Sequence, residues 1–346
     1  MLFEVTEVDQ QVYDQEIRDF LPDKLIDIHT HVWVDRLKAH SNEAFSRVVQ
    51  WPSLVAKENP VEDLIETYKL MFPDKQVTPL MFSSIKPDDD FDGLNDYIRD
   101  SAQKYHIPAL LYAKPEWSGA ELEKRVIAGG FLGVKVYLNL APAYIPAAEI
   151  RIFDFLPPHQ LEVLHQHRWI VMLHIPRNGR LRDAVNLAQM REIDHNYPGA
   201  QVIIAHVGRA YCPEDVGNAF EVLADAEHLR FDFSANTNDW VFEQLIKAVG
   251  PKRILFGSDL PILRMRMRRI CEQGTYINLV PQGLYGNVSG DKNMREVAGD
   301  EATRLTFFMY EEILAFKRAA ERTGMTSSDI NDIFYNNGKS LIESVL

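Results

Sequence analysis

The chain has 346 residues, of which 46% are hydrophobic, and a formal net charge of −13. That charge excludes nucleic acid as a general partner, since a phosphate backbone needs a basic face. No stretch reaches the run of about 18 apolar residues that a membrane helix needs, and the start Met1-Leu2-Phe3-Glu4-Val5 lacks the basic and long apolar regions of a secretion signal. An acidic chain of this kind fits the cytoplasm, where Cys212 and Cys271 are expected as two free thiols, although sequence alone leaves one bridge open.

Eight short apolar runs recur along the chain, at 24–29, 77–82, 109–113, 133–138, 169–174, 201–206, 229–233 and 253–257. Between them lie amphipathic stretches at 94–105, 120–128, 158–167, 181–197, 214–227 and 240–249. Strands alternating with helical patterns predict parallel pairing with crossover helices, and eight such units predict a closed (β/α)8 TIM barrel. An open doubly wound sheet is the alternative, but no Gly-rich turn follows the first run.

Two segments break the spacing. About 45 residues, with Trp33 and Trp51, separate the first run from the second, and 260–290 is a long loop rich in Arg and Gly. Both are expected to border the C-terminal face of the barrel, where long loops build sites. The stretches 301–323 and 327–345 read as extra C-terminal helices, one of them closing the barrel. One domain over 1–346 is expected, with core strands at about 24–260 and C-terminal helices at 301–346.

The first run reads Leu25-Ile26-Asp27-Ile28-His29-Thr30-His31. Side chains alternate along a strand, so His29 and His31 share a face. The fifth run ends in His174, the sixth in His206, and the eighth continues into Ser258-Asp259. In a barrel these strand ends converge on one pocket, and imidazoles with a carboxylate suit zinc or a neighbouring divalent ion. His165-Gln166-His167 has the same spacing but ends a helical stretch on the opposite face, so it is read as structural, like His40, His106, His159, His195 and His228. In the fourth run Lys135, Tyr137 and Asn139 share a face. If that face is the interior, Lys135 is a buried cation that needs Asp259, a substrate carboxylate or carbamylation between two metals; otherwise it is a structural lysine.

The order His29-x-His31, Lys135, His174, His206 and Asp259 resembles the amidohydrolase superfamily. The phrases Asp27-Ile28-His29-Thr30-His31 and Leu255-Phe256-Gly257-Ser258-Asp259 resemble most closely its amidohydrolase-related branch of metal-dependent hydrolases and decarboxylases, over roughly residues 24–260. The resemblance implies one or two divalent metals, with one favoured. In the one-metal pattern His29, His31, His174 and Asp259 surround the ion and His206 stands beside it. In the two-metal pattern a carbamylated Lys135 bridges, and His174 and His206 hold the second ion.

From the groups alone, Asp259 is a base for water and His206 a stabiliser of an oxyanion, which describes hydrolysis of a small amide, ester or lactone. The same groups with Asp259 as proton donor describe non-oxidative decarboxylation. A barrel that binds a small anion without turnover is the third reading. Arg177, Arg209 and Arg264 are candidates for a substrate carboxylate, with Tyr137 and Asn139 as further contacts. Arg268 and Arg269 are expected to face solvent or acidic helices. Asn236 and Asn238 are read as turn formers, and Trp33 as either a pocket wall or packing for the first loop. The expected partner is a small anionic molecule; oligomeric state, a homo-oligomer included, is left open.

Overall fold

The computed structural model describes residues 2–39, 47 and 51–346, so His40 lies outside the described residues. Its eight barrel strands are β1 Lys24–His31, β2 Gln76–Phe82, β3 Leu111–Tyr112, β4 Gly133–Val136, β5 Ile170–Leu173, β6 Gln201–Ile204, β7 Arg230–Asp232 and β8 Ile254–Leu255. All neighbours pair in parallel and in chain order. A bridge between Met81 and Ala109 joins β2 to the edge of β3. The ring closes where β8 meets β1. There the Ile28 N–H donates to the Phe256 carbonyl (2.9 Å), Asp259 N–H to that of His29 (2.8 Å) and His31 N–H to that of Leu260 (2.8 Å).

The strands form because β-branched and large apolar residues fill both faces. Ile26, Ile28, Phe82, Ile170, Met172 and Ile203 pack in the barrel interior. Val134, Val136, Val171, Leu173, Val202 and Ile204 pack outward under the helices. Crossover helices begin at side-chain caps: Asp90 accepts from Gly93 N, Ser118 from Glu121 N, and Asp183 from Val185 and Asn186 N. Leu341 and Ile342, from the last helix at Asn337–Glu343, plug the interior from below. Among the described residues no helix is long and apolar enough to cross a membrane.

Three local expectations need correction. The loop at 260–290 is largely sheet: β9 Arg268–Glu272 and β10 Thr275–Pro281 form a hairpin, and β11 Met294–Val297 pairs with β10. The hairpin turns on Gln273 (φ 49°) and Gly274 (φ 73°), a two-residue turn with both φ positive that suits the strand twist. Helical residues in 214–227 shrink to Ala219–Val222 after a 3-10 turn at Pro213–Asp215, and 301–323 splits into Gly299–Thr303 and Phe308–Thr323. Finally, Cys212 and Cys271 are not free thiols but are joined in a disulfide. Their 59-residue separation hid the contact, because only the folded hairpin brings them together.

At the seam, the buried Asp27 accepts from Ser258 N (2.9 Å) and His29 N (3.2 Å) through Oδ1 and from the Tyr68 hydroxyl (2.7 Å) through Oδ2. Asp27→Ala leaves these buried donors without an acceptor and is expected to cost about 3 kcal/mol, measured as a lowered urea midpoint with unchanged slope; an unchanged midpoint would refute this role.

Candidate metal centre

Each group of the centre stands at the C-terminal end of a barrel strand. The register of β1 against β2 is irregular between Asp27 and Thr30. Such an irregularity re-aims side chains, and His29 within it and His31 just past it both line the pocket. The ends of β6, β7 and β8 pass through left-handed backbone at His206 (φ 57°), Ala235 (φ 50°) and Asp259 (φ 57°). After β6 the left-handed stretch runs through four residues, His206 to Arg209, an uncommon conformation for the β-branched Val207. Gly257 lies beneath the centre, where a Cβ would stand 2.9 Å from that of His29.

One ligand atom each of His29, His206 and Asp259 lies within 4.8 Å of the others. Asp259 Oδ1 is 3.2 Å from His31 Nε2 and 3.5 Å from His29 Nε2. The His174 ring packs 5.3 Å from that of His206 and 4.6 Å from that of Tyr137. The far sides of the rings are engaged: His29 Nδ1 meets Asp232 Oδ2 (2.9 Å), His31 Nδ1 the Ser83 carbonyl (3.1 Å), and His206 Nδ1 the Ser234 carbonyl (3.0 Å). Bonds of this kind orient an imidazole and leave Nε2 for the pocket. His174 differs, because its buried Nδ1 has no hydrogen-bond partner among the described residues.

The charges fit a cation. Burial, reinforced by Lys135, holds the His29 imidazolium pKa well below the ordinary histidine range. Burial, with Arg209 and His206, does the same to His174, and burial lowers His31. Burial thus acts toward the neutral form of these rings, the form a metal ligand takes. For Asp259 burial acts upward, but the His31 hydrogen bond and the nearby imidazoles outweigh it and its pKa falls. A buried carboxylate among imidazoles, beside a buried nitrogen without a partner among the described residues, is a donor set suited to a divalent ion.

Asp232, at the end of β7, was not foreseen. It is fully buried; one oxygen meets His29, and the other accepts from His206 N (2.8 Å), Ser234 N (3.1 Å) and Ser234 Oγ (2.6 Å). A single carboxylate inside an apolar strand was the available signal. Lys135 faces the interior, with Nζ 3.5 Å from His29 Nε2 and over the Phe82 ring. Burial pushes its pKa down to about 8 against Asp259 and Asp232.

The centre opens into a cavity of about 600 Å³, lined in part by Trp33, Tyr137, Asn139, Arg180, Arg209, Tyr211, Arg269 and Tyr276. Asn139 is fixed by donating to the Ile85 carbonyl (2.7 Å). Arg209 reaches the cavity and donates to the Pro176 carbonyl (2.9 Å). The other two candidate arginines are placed elsewhere. Arg177 is outside the lining, 3.9 Å from Asp183. Arg264 is buried behind the wall and donates to Asn59, whose amide in turn holds the His31 carbonyl (2.6 Å). Arg269, expected at the surface, instead lines the cavity, because β9 turns it inward over the Tyr276 ring (4.5 Å). Arg268 meets Glu311 at the surface, Asn238 caps a helix, and His165 and His167 lie outside the cavity.

A parallel barrel with imidazoles and a carboxylate at its strand ends defines the class of metal-dependent TIM-barrel enzymes. The sequence matches the amidohydrolase family model over residues 26–269, and the chain belongs to that family. No curated protein sequence matches it. Among solved structures it is similar to a probable 2-pyrone-4,6-dicarboxylic acid hydrolase from Acinetobacter baumannii with citric acid bound (15% identity, 92% of this chain and 99% of that one, TM-score 0.52). It is also similar to a dihydroxybenzoic acid decarboxylase from a Polaromonas species with manganese and 2-nitroresorcinol (14%, 93% and 97%, 0.55). A third is an amidohydrolase from Burkholderia multivorans with zinc (11%, 92% and 99%, 0.54). At these identities the likenesses establish the barrel fold.

Lys135 gives the centre a pH signature in the metal-free protein. The unfolded chain holds this proton to about pH 10.5 and the fold only to about 8. Between those values unfolding takes up a proton, so stability rises with pH, by up to about 3 kcal/mol over the window. Urea titrations at pH 7.5 and 9.5 are expected to show this rise relative to Lys135→Met; parallel behaviour of the two proteins would contradict it.

Proposed function

We propose that the chain is a metal-dependent hydrolase of a small amide, ester or lactone that carries a carboxylate. The observation that carries the reading is Asp259, a carboxylate buried among His29, His31 and His206 at the floor of a cavity. His29, His31, His174 and Asp259 would hold one divalent ion, for which zinc is a suitable choice. When bound, such an ion polarises the scissile carbonyl and acidifies water. Asp259 accepts a proton from the attacking water at its free oxygen and delivers it to the leaving group. His206, oriented through Nδ1 by Ser234, faces the developing oxyanion. Asp232 keeps His29 and His206 in register from behind.

Arg209 and Arg269 line the cavity and have no carboxylate within salt-bridge distance among the described residues, unlike Arg180, which pairs with Asp215. Two unneutralised guanidiniums in a wall favour an anionic substrate. The same placement favours decarboxylation as a second reading, with Arg209 seating the carboxylate and Asp259 protonating the ring carbon left behind. Proteins named for both reactions share the fold.

Chelation is expected to abolish turnover, and readdition of zinc or manganese to restore it. Asp259→Asn should lower kcat/KM about a thousandfold and weaken metal retention measured by elemental analysis, whereas His206→Ala should lower kcat with metal retained. Full turnover in the chelated protein or in Asp259→Asn would sink the reading. Product analysis separates the two reactions: a new acid without carbon dioxide marks hydrolysis, and released carbon dioxide marks decarboxylation.

A further inference from the structure

The inserted β9–β11 sheet contributes one wall of the cavity, and a covalent bond fastens it. Tyr276 on β10 stands directly across the hairpin from Cys271 on β9. Tyr211 precedes Cys212 in the segment after β6. The disulfide therefore lies directly behind the two tyrosines, whose rings meet edge to face with centroids 5.0 Å apart. Arg269 lies over Tyr211 (4.9 Å) and Tyr276 (4.5 Å), and Arg180 over the same rings (5.2 and 5.3 Å). Near the hairpin tip, Cys271 Sγ also lies 3.2 Å from the Tyr211 carbonyl oxygen. The two cysteines differ sharply in exposure: Cys212 is fully buried, whereas Cys271 is an exposed residue.

We propose that Cys212–Cys271 is a thiol-sensitive latch on this wall: intact, it holds Tyr211, Tyr276 and Arg269 as a recognition surface for a planar anion, and its reduction weakens that binding without disturbing the histidine–aspartate centre. The proposal deepens the functional reading, on which its substrate class rests. A dithiol attacks the sulfur of Cys271, the exposed partner of the pair, and Cys212 leaves as a thiolate and takes up a proton. The second thiol of the reductant then closes on the mixed disulfide, releasing Cys271 as a thiol. Two electrons and two protons pass from the dithiol, which ends as a cyclic disulfide. The freed hairpin then loses its bond to the segment that carries Tyr211. The metal-centre side chains keep their anchors on Asp232, Ser83 and Ser234, none of which belongs to the sheet. The two cysteines are positioning residues, since they act through the tyrosines and Arg269.

The test uses metal-loaded full-length protein and benzene-1,3-dicarboxylate as probe. Thiol titration in denaturant should find no free thiol before dithiothreitol and both cysteines after it. Calorimetry should show saturable probe binding to the oxidised protein, at least tenfold weaker binding after reduction, and recovery on reoxidation. Cys212→Ser/Cys271→Ser should match the reduced protein and ignore dithiothreitol, and Arg269→Met should bind weakly in both states. Metal content should stay constant throughout. Free thiols in the oxidised preparation, no probe binding to it, or equal affinity before and after reduction would each overturn the proposal. These readouts need no turnover, so an Asp259→Asn protein with full activity would defeat the catalytic reading and leave the latch to stand or fall separately.

Discussion

The structure depends on the seam where the first strand meets the last. Three backbone hydrogen bonds from β1 to the β8 end close the ring, and two of them involve the backbone of His29 and Asp259 or of His31 and Leu260. The hydrogen bonds that complete the barrel therefore set the spacing between the histidine pair and the aspartate. Asp27 reinforces this join from behind, and Gly257 lets the two strands approach without a side chain between them. A site built into the closure of its own fold cannot drift without opening the barrel, which suits chemistry that tolerates little misplacement.

Around the seam, carboxylates divide the work by depth. Asp259 faces the cavity, where burial acts to raise its pKa but the His31 hydrogen bond and the neighbouring imidazoles bring it down. Asp232 lies deeper and accepts from two histidines, one through its ring and one through its backbone. Asp27 lies behind the strands, where burial pushes its pKa up to about 7. The arginines divide in a similar way. Arg264 supports His31 through Asn59, Arg266 pairs with Asp9 and ties the N-terminal helix to the insertion, and Arg209 and Arg269 remain for the cavity.

Much of the architecture was legible beforehand. Buried parallel strands need continuous apolar runs, so all eight barrel strands could be placed to within a few residues. Polar residues at the ends of such runs stand out, which exposed His29, His31, His174, His206 and Asp259. The hairpin in 260–290 was not legible, because β9 is largely exposed and opens on two arginines, although β10, Thr275–Pro281, is mostly buried and rich in strand-forming residues. Which arginine enters the cavity was likewise hidden: the run 263–269 alternates in sequence, but 3-10 turn, extended linker and strand impose different facings along it. Arg264 was therefore expected in the cavity and Arg269 outside it, and the structure reverses the two.

The sequence by itself determined the barrel, the family and which polar strand ends meet at the pocket, because hydrophobic periodicity and strand-end polar groups are local properties of the chain. Tertiary structure alone decided what stands behind and around that centre. Asp232 joins His29 and His206 across 203 and 26 residues of chain, and Cys212 finds Cys271 across 59. Such pairings arise from ring closure and hairpin docking, which set distances that no local pattern encodes.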